Sequence, residues 1–290
     1  MQSLKAFEYF EPGTVEEAGQ ILLKYGMKTK VLAGGIDLVP RMRRRRIQPE
    51  CVVSLQRIPG LDYVKHDGSD GLRIGTLTSL RSLELSPVMQ KDYIVLYEAI
   101  HQIASIQVKT AGTVVGNLCA ATPASDVASA LFVLSAKLRI VSPTQERTVP
   151  IEDFYPGLHQ TVLQPGEIVT EILLPIPDAS VGCAFLKLAR TATDVAKVNV
   201  AVMIKVIDYK CKEAKIALGS VAPTPIRARK AEETLEGQMP ETGVIKAVAA
   251  AAAEEAKPIT DIRSTVEYRK EMTQILVGRA IEKALDRVKA

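Results

Sequence analysis

The sequence predicts an α+β protein in two parts, an N-terminal α+β domain to about residue 176 and a smaller domain of antiparallel strands and helices over 177–290. Three observations lead there. A chain of 290 residues is long for one compact core, and 47% of it is apolar, enough to bury a sizeable interior. Helical and strand patterns are mixed before residue 176. Beyond "PIPDAS", residues 175–180, the order changes to strands followed by helices, and the two prolines make that stretch the best linker.

In chain order, "GTVEEAGQILLKYG" is the first helix. Thr14 and Glu17 form a capping box, Val15, Ala18, Ile21, Leu22 and Tyr25 share a face, and Gly26 stops it. "TKVLAGG" is a strand entering a glycine turn, and "CVVSLQRI" is another strand. "LDYVKHDGSDGLRIGTL" alternates around a Gly/Ser/Asp tip, as a hairpin does. Residues 79–105 read as helix in two pieces broken near Pro87, whereas "TAGTVVGNLCAATPASD" has little helical character. "SDVASALFVLSA" is a buried helix with Ser125 or Asp126 as cap. "KLRIVSPTQERTVPI" is a second hairpin and "EIVTEILLP" a strand. "CAFLKLAR", "NVAVMIKVID" and "KEAKIALGSV" are the strands after the linker. Helices follow over "RARKAEETLEG", the alanine-rich "VIKAVAAAAAEEAK" and "STVEYRKEMTQILVGRAIEKALDRVK". Ser264 with Glu267 is the expected cap of the last, and Tyr268, Met272, Ile275, Leu276, Ile281, Leu285 and Val288 its apolar stripe.

Composition excludes several functions. A net charge of +4 is modest for this length and argues against a nucleic-acid binder. Cys51, Cys119, Cys183 and Cys211 lack metal-finger spacing, and His66, His101 and His159 form no ligand motif, so no metal site is read. Scattered cysteines fit a reducing compartment. The N-terminus has no signal-peptide pattern, and no apolar run approaches the ~20 residues of a membrane span, which makes the cytoplasm the expected location.

Two glycine-bearing stretches invite a functional reading. In "VLAGGIDLVPRMRRRR", Gly34 and Gly35 follow a strand, Asp37 is placed to cap a helix, and Pro40 lies in its first turn. Such a turn can present N–H groups to phosphate, or serve only a positive φ. Leu38, Val39 and Met42 make an apolar stripe, so Arg41 and Arg43–Arg46 fan over the remaining surface and read as a solvated face rather than a nucleic-acid patch. The second stretch is "AGTVVGNLCAATPASD". Two such loops in one domain can clamp a dinucleotide diphosphate from either side. Neither is GxGxxG, neither is placed in a βαβ unit with an acidic residue about 20 positions on, and no P-loop is present.

Several ordered segments resemble one family. "LAGGIDLVP", "IASIQVKTAGTVVGNLCAATPASDVASAL", "VPIEDFYPG", "LQPGEIVTEILLP", "FLKLARTATDVAKVNVAV" and "GSVAPTPIRARKAEETLEG" are similar, across nearly the whole chain, to the FAD-binding (medium) subunit of the molybdenum hydroxylases. That group includes the medium subunit of carbon monoxide dehydrogenase and the FAD subunits of bacterial xanthine and nicotinate dehydrogenases. The resemblance implies a FAD-binding domain of the vanillyl-alcohol-oxidase type over 1–176, in two α+β subdomains split near 56. It implies that Ala33, Gly34, Gly35, Ile36 and Asp37 contact the FAD pyrophosphate, with Thr113, Val114, Gly116 and Asn117 on its other side. Asp126 would reach the ribityl or flavin region, and Lys187 and Asp194 would lie near the isoalloxazine ring. It also implies an iron–sulfur small subunit and a molybdopterin large subunit as partners in a hetero-oligomer. Electrons would pass from the clusters to FAD and on to an external acceptor, with no catalytic residue for substrate oxidation on this chain. The chain departs from the family at Ile36, at Lys109-Thr110 and at Val115, where the family has glycine. Valine resists positive φ and would narrow the approach to a phosphate. Val115 therefore motivates an alternative, a flavin-free assembly subunit of the same complex; a free-standing flavin oxidoreductase is a further one.

Overall fold

The first layer is a small parallel sheet. Strand β1 (Glu8–Phe10), helix α1 (Val15–Tyr25), strand β2 (Thr29–Leu32), helix α2 (Leu38–Arg43) and strand β3 (Cys51–Ser54) follow one another, and the strands pair in the order β1-β3-β2. The computed structural model describes residues 4–68 and 70–288. Thr14 caps α1 by accepting from the Glu17 N–H at 3.1 Å, and Gly26 ends the helix at φ +55°. Ala18 and Leu22 then pack on Val53, Leu55 and Ile58. Contrary to the sequence reading, the first glycine turn does join two parallel strands through a helix. The elements β2, α2 and β3 were each legible, but the parallel pairing of β2 with β3 is a contact between separate segments that periodicity along the chain does not report.

The second layer is antiparallel. Hairpin strands β4 (Val64–Asp67) and β5 (Gly71–Gly75) are followed by a helical stretch of α3 (Leu80–Leu85), α4 (Pro87–Lys91), α5 (Ile94–His101), α6 (Ile106–Ala111), α7 (Val114–Cys119) and α8 (Asp126–Val133). Ser69 of the hairpin tip lies outside the described residues. Strands β6 (Lys137–Val141), β7 (Glu146–Pro150) and β8 (Ile168–Leu174) complete the sheet in the order β4-β5-β8-β6-β7. Residues 79–105 hold three helices rather than two, because Pro87 starts a helix of its own. The stretch after them is also more helical than predicted. Ser105 caps α6 and Thr113 caps α7, and α7 buries Val114, Val115 and Leu118, so packing and caps override weak propensity.

The remaining chain forms β9 (Val181–Leu188), β10 (Val198–Ile207), β11 (Lys210–Gly219) and β12 (Ile226–Arg227), then α9 (Arg229–Leu235), α10 (Thr242–Glu255) and α11 (Val266–Leu285). The sheet is antiparallel in the order β12-β11-β10-β9. Alternate residues of β10 serve different cores. Val200, Val202 and Ile204 pack under Val248, Ala252, Val277 and Ile281, while Ala201 and Met203 join Phe185 and Ala217 in the core of the second layer. Both faces are thus buried, which is why β10 reads as an almost unbroken apolar run. Ion pairs reinforce this junction: Glu98 of α5 accepts from the Phe185 N–H at 2.9 Å and pairs with Arg287 at 2.6 Å. Burial pushes the Glu98 carboxyl up, but Arg287, Lys283 and the Phe185 N–H outweigh it and hold it below the usual range.

Helix α11 differs from its predicted register. Thr265, not Ser264, caps it, accepting from the Tyr268 N–H at 3.3 Å. Its buried face carries Arg269, Thr273, Leu276, Val277, Ala280, Ile281 and Ala284, whereas Tyr268 and Ile275 face outward. An apolar stripe counted from sequence omits buried polar groups that find partners. Arg269 is one, donating to the Ser220 carbonyl at 2.6 Å and to Asp261 at 2.7 Å.

Candidate functional site

The two glycine stretches meet. Ala33–Asp37 runs from β2 to α2, and a Cβ on Gly34 would sit 1.9 Å from the Ala111 carbonyl oxygen and 2.9 Å from Gly112 Cα. Only glycine permits that approach. Gly35 adopts φ +71°, and its carbonyl accepts from the Val39 N–H at 3.0 Å. Among the described residues, the backbone N–H groups of Gly34, Gly35, Ile36 and Asp37 have no protein acceptor. A row of unengaged amides in a glycine loop suits an anionic group. Asp37 does not cap α2; its carboxylate turns to Arg41 at 3.1 Å instead.

Lys109 holds the other side of this contact. It is buried on α6 and binds Glu84 of α3 at 2.6 Å and the His101 carbonyl at 3.2 Å. Burial raises the Glu84 carboxyl, but Lys109, Arg81 and His101 more than offset this and hold it below the usual range. Beyond Gly112, Thr113 accepts from the Gly116 N–H at 3.0 Å, and Val114 is fully buried with its N–H directed to the Thr78 carbonyl at 3.3 Å. Val115 lies in α7 at negative φ with its side chain in the core, so the left-handed strain expected at this position does not arise. Asn117 accepts from the Ser125 hydroxyl at 2.6 Å, tying the loop to the cap of α8.

Asp126 begins α8 and is buried. Its two oxygens are taken by neighbours on adjacent strands: Lys187 of β9 at 2.7 Å and Asn199 of β10 at 2.9 Å. Lys187 also donates to the Gln102 carbonyl at 3.0 Å, and Asn199 accepts from Ser129 at 2.6 Å. Burial pushes the Asp126 carboxyl above its ordinary range, against the opposing pull of Lys187 and Asn199. Gly219, opposite Asn199 on β11, leaves room for that amide; a Cβ there would lie 2.3 Å from Asn199 Oδ1. Sequence reasoning missed Asn199. A polar residue within the apolar run of β10 was the available signal, because a buried amide needs partners.

These parts converge on a cleft of about 580 Å³ between α2, the second loop and the end of β9. Ile36, Asp37, Asn117, Asp126, Lys187 and Asp194 all line it. Ala33, Gly34, Gly35, Thr113, Val114 and Gly116 are not among its lining residues; they are chain neighbours of Ile36, Asp37 and Asn117, and Gly34 brings the two stretches together. Asp194 is paired with Arg190 at 2.6 Å, which holds its carboxyl below the usual range. Arg41, Arg44, Arg46 and His159 also line the cleft and were not assigned to it from sequence. Non-glycine residues at positive φ cluster here: Ala104 and His159 on its wall, Arg45 and Ala121 beside it. A hollow of about 590 Å³ between the start of α10 and the end of α11 brings together none of these groups. The cleft has the size and the mix of apolar and convergent polar groups expected of a cofactor pocket.

Comparison with known proteins agrees. The model for the FAD binding domain in molybdopterin dehydrogenase matches residues 5–177, and that for the CO dehydrogenase flavoprotein C-terminal domain matches 183–284. The chain is 34% identical to the carbon monoxide dehydrogenase medium chain of Afipia carboxidovorans over 98% of each chain. It is 33% identical to the caffeine dehydrogenase subunit beta of a Pseudomonas species, over 98% of this chain and 96% of that one. The structure of carbon monoxide dehydrogenase from Hydrogenophaga pseudoflava superposes with a TM-score of 0.96 at 34% identity, covering 99% of this chain and 100% of that chain. Among the described residues no helix is long and apolar enough to cross a membrane. With both domain models and full-length relatives in agreement, the chain belongs to the FAD-binding medium-subunit family of the molybdenum hydroxylases, and is a flavoprotein oxidoreductase subunit whose cofactor is FAD.

Proposed function

We propose that this chain is the electron-transfer subunit of a multi-subunit molybdopterin-containing hydroxylase or dehydrogenase in the cytoplasm. It takes electrons from iron–sulfur clusters of a small partner subunit and passes them to an external acceptor, while substrate oxidation occurs on a large molybdopterin-binding partner. Residues 1–176 form the FAD-binding domain, in two subdomains parting near residue 56, and 177–290 the C-terminal domain. Bound FAD supplies the two-electron store. The unengaged amides of Gly34–Asp37 and the side chain of Asn117 hold its diphosphate. Lys187, locked between Asp126 and the Gln102 carbonyl, presents a fixed positive charge to the ring without reorganisation.

One observation carries this reading: six residues from separate segments, Ile36, Asp37, Asn117, Asp126, Lys187 and Asp194, line a single cleft. The buried Val115 removes the motive for a flavin-free subunit, since nothing at that position strains the loop. The first measurement is the visible spectrum of the purified chain, with chromatographic identification of the released chromophore. One FAD per chain, and copurification of iron–sulfur and molybdenum chains from the native source, is the expected result. A colourless chain that takes up no added FAD, alone and in its native complex, would refute it.

A further inference from the structure

Charge on the walls of the cleft does not cancel. Among the described residues lining it, Asp37 pairs with Arg41, Asp126 with Lys187, and Asp194 with the neighbouring Arg190. Every carboxylate on the wall therefore has its own cation. Arg44 and Arg46 line the same cleft, are exposed, and make no ion pair or side-chain hydrogen bond among the described residues. Two guanidinium groups remain without a counter-charge.

The backbone explains how two members of an arginine run reach one wall. Helix α2 ends at Arg43, and Arg45 turns left-handed at φ +54°. The Arg45 N–H donates to the Met42 carbonyl at 3.0 Å and the Arg46 N–H to the Arg41 carbonyl at 3.0 Å, the paired bonds of a Schellman ending. Glycine is the usual residue at that point; here an arginine holds the conformation. Arg44 reaches the cleft on the α2 face it shares with Pro40 and Arg41, and the reversal at Arg45 brings Arg46 to the same wall, while Arg43 and Arg45 lie off it.

We propose that Arg44 and Arg46 form an anion-binding rim on the cleft that takes the diphosphate of a dinucleotide. Two guanidinium groups lining one cleft match a group with two negative charges, and their planar donors suit phosphate oxygens. The assignment to a dinucleotide rests on reading the cleft as the flavin site. Two sources carry the group: FAD itself, or a nicotinamide dinucleotide acting as the external electron acceptor.

The test compares the full chain, an R44A/R46A variant and an R43A control. Inorganic pyrophosphate is titrated into each cofactor-free chain by calorimetry. FAD is titrated next, and then NAD into the FAD-loaded chains by flavin fluorescence. Pyrophosphate binding is expected to weaken at least about tenfold in R44A/R46A, with a shallower salt dependence, and to be unchanged in R43A. A parallel loss of FAD affinity identifies the flavin's own diphosphate as the occupant. Retained FAD with weakened NAD binding identifies the acceptor. No measurable pyrophosphate binding by the unaltered chain, equal binding by R44A/R46A, or an equal loss in R43A overturns the rim. If the unaltered chain binds pyrophosphate through these arginines yet takes no FAD, the flavin reading fails and the anion rim stands.

Discussion

Lys187→Met tests whether the buried pair at the cleft is the keystone its geometry implies. The substitution keeps a long apolar side chain and deletes the ammonium that binds Asp126 at 2.7 Å and the Gln102 carbonyl at 3.0 Å. Stranding one partner of a buried pair costs about 3–5 kcal/mol. Two features set the expected loss near the lower bound, ~3 kcal/mol: Asn199 still donates to Asp126, and a carboxyl already pushed up by burial can take a proton. Protonation gives the effect a direction in pH. A carboxyl whose folded pKa is raised binds its proton more tightly when folded, so folding is least penalised at or below the unfolded value, near 3.8. Stability then falls as pH rises from there through the folded pKa, by at most about 1.4 kcal/mol per unit. Urea unfolding of the FAD-free chain at pH 5 and pH 8 is the assay. The loss should be larger at pH 8, and Lys187→Met combined with Asp126→Asn should recover more than half of it. A loss under ~1 kcal/mol at pH 8, or one of equal size at both pH values, would refute the burial argument.

Other substitutions probe the loops. Gly34→Ala places a methyl group 1.9 Å from the Ala111 carbonyl oxygen, so the two glycine stretches must separate. It should cost about 1–3 kcal/mol, and FAD affinity should fall more than about tenfold in a fluorescence titration. Val115→Gly removes a side chain that is 3% exposed from a helix. It should destabilise by ~2–4 kcal/mol in denaturant and leave FAD binding no tighter; a clear gain in affinity would restore the strained-loop view. Arg45→Gly relieves a left-handed backbone at φ +54°, and thermal unfolding should show a gain of about 0.5–1 kcal/mol.

Much of the site was legible because local chemistry announces it. Thr14 with Glu17 marked a helix start, and paired glycines after an apolar strand marked a turn where backbone must come close. Where the reading failed, contacts between distant segments had decided the outcome. The stretch 110–126 looks poor as helix, yet a cap at Thr113 and burial of Val114, Val115 and Leu118 make Val114–Cys119 helical. Ser264 looked like the better cap, but Thr265 accepts the Tyr268 N–H, and the buried arginine of α11 was invisible to an apolar count.

The order of elements, the glycine turns and the family motifs are properties of the sequence alone, since each depends on neighbours within a few residues. What only the tertiary structure decided is how charges separated by many residues are shared. Asp126, Lys187 and Asn199 become one hydrogen-bonded unit only because β9 and β10 pair in a register that sets Lys187 beside Asn199 and packs both against the start of α8. The same holds for the arginine run. Its composition suggests a solvated face, but the seating of α2 carries Arg44 onto the cleft beside Arg41, and one left-handed residue, Arg45, turns Arg46 to the same wall. Spacing along a chain sets local conformation, and the electrostatic consequence of a charge depends on which distant group folding brings to it.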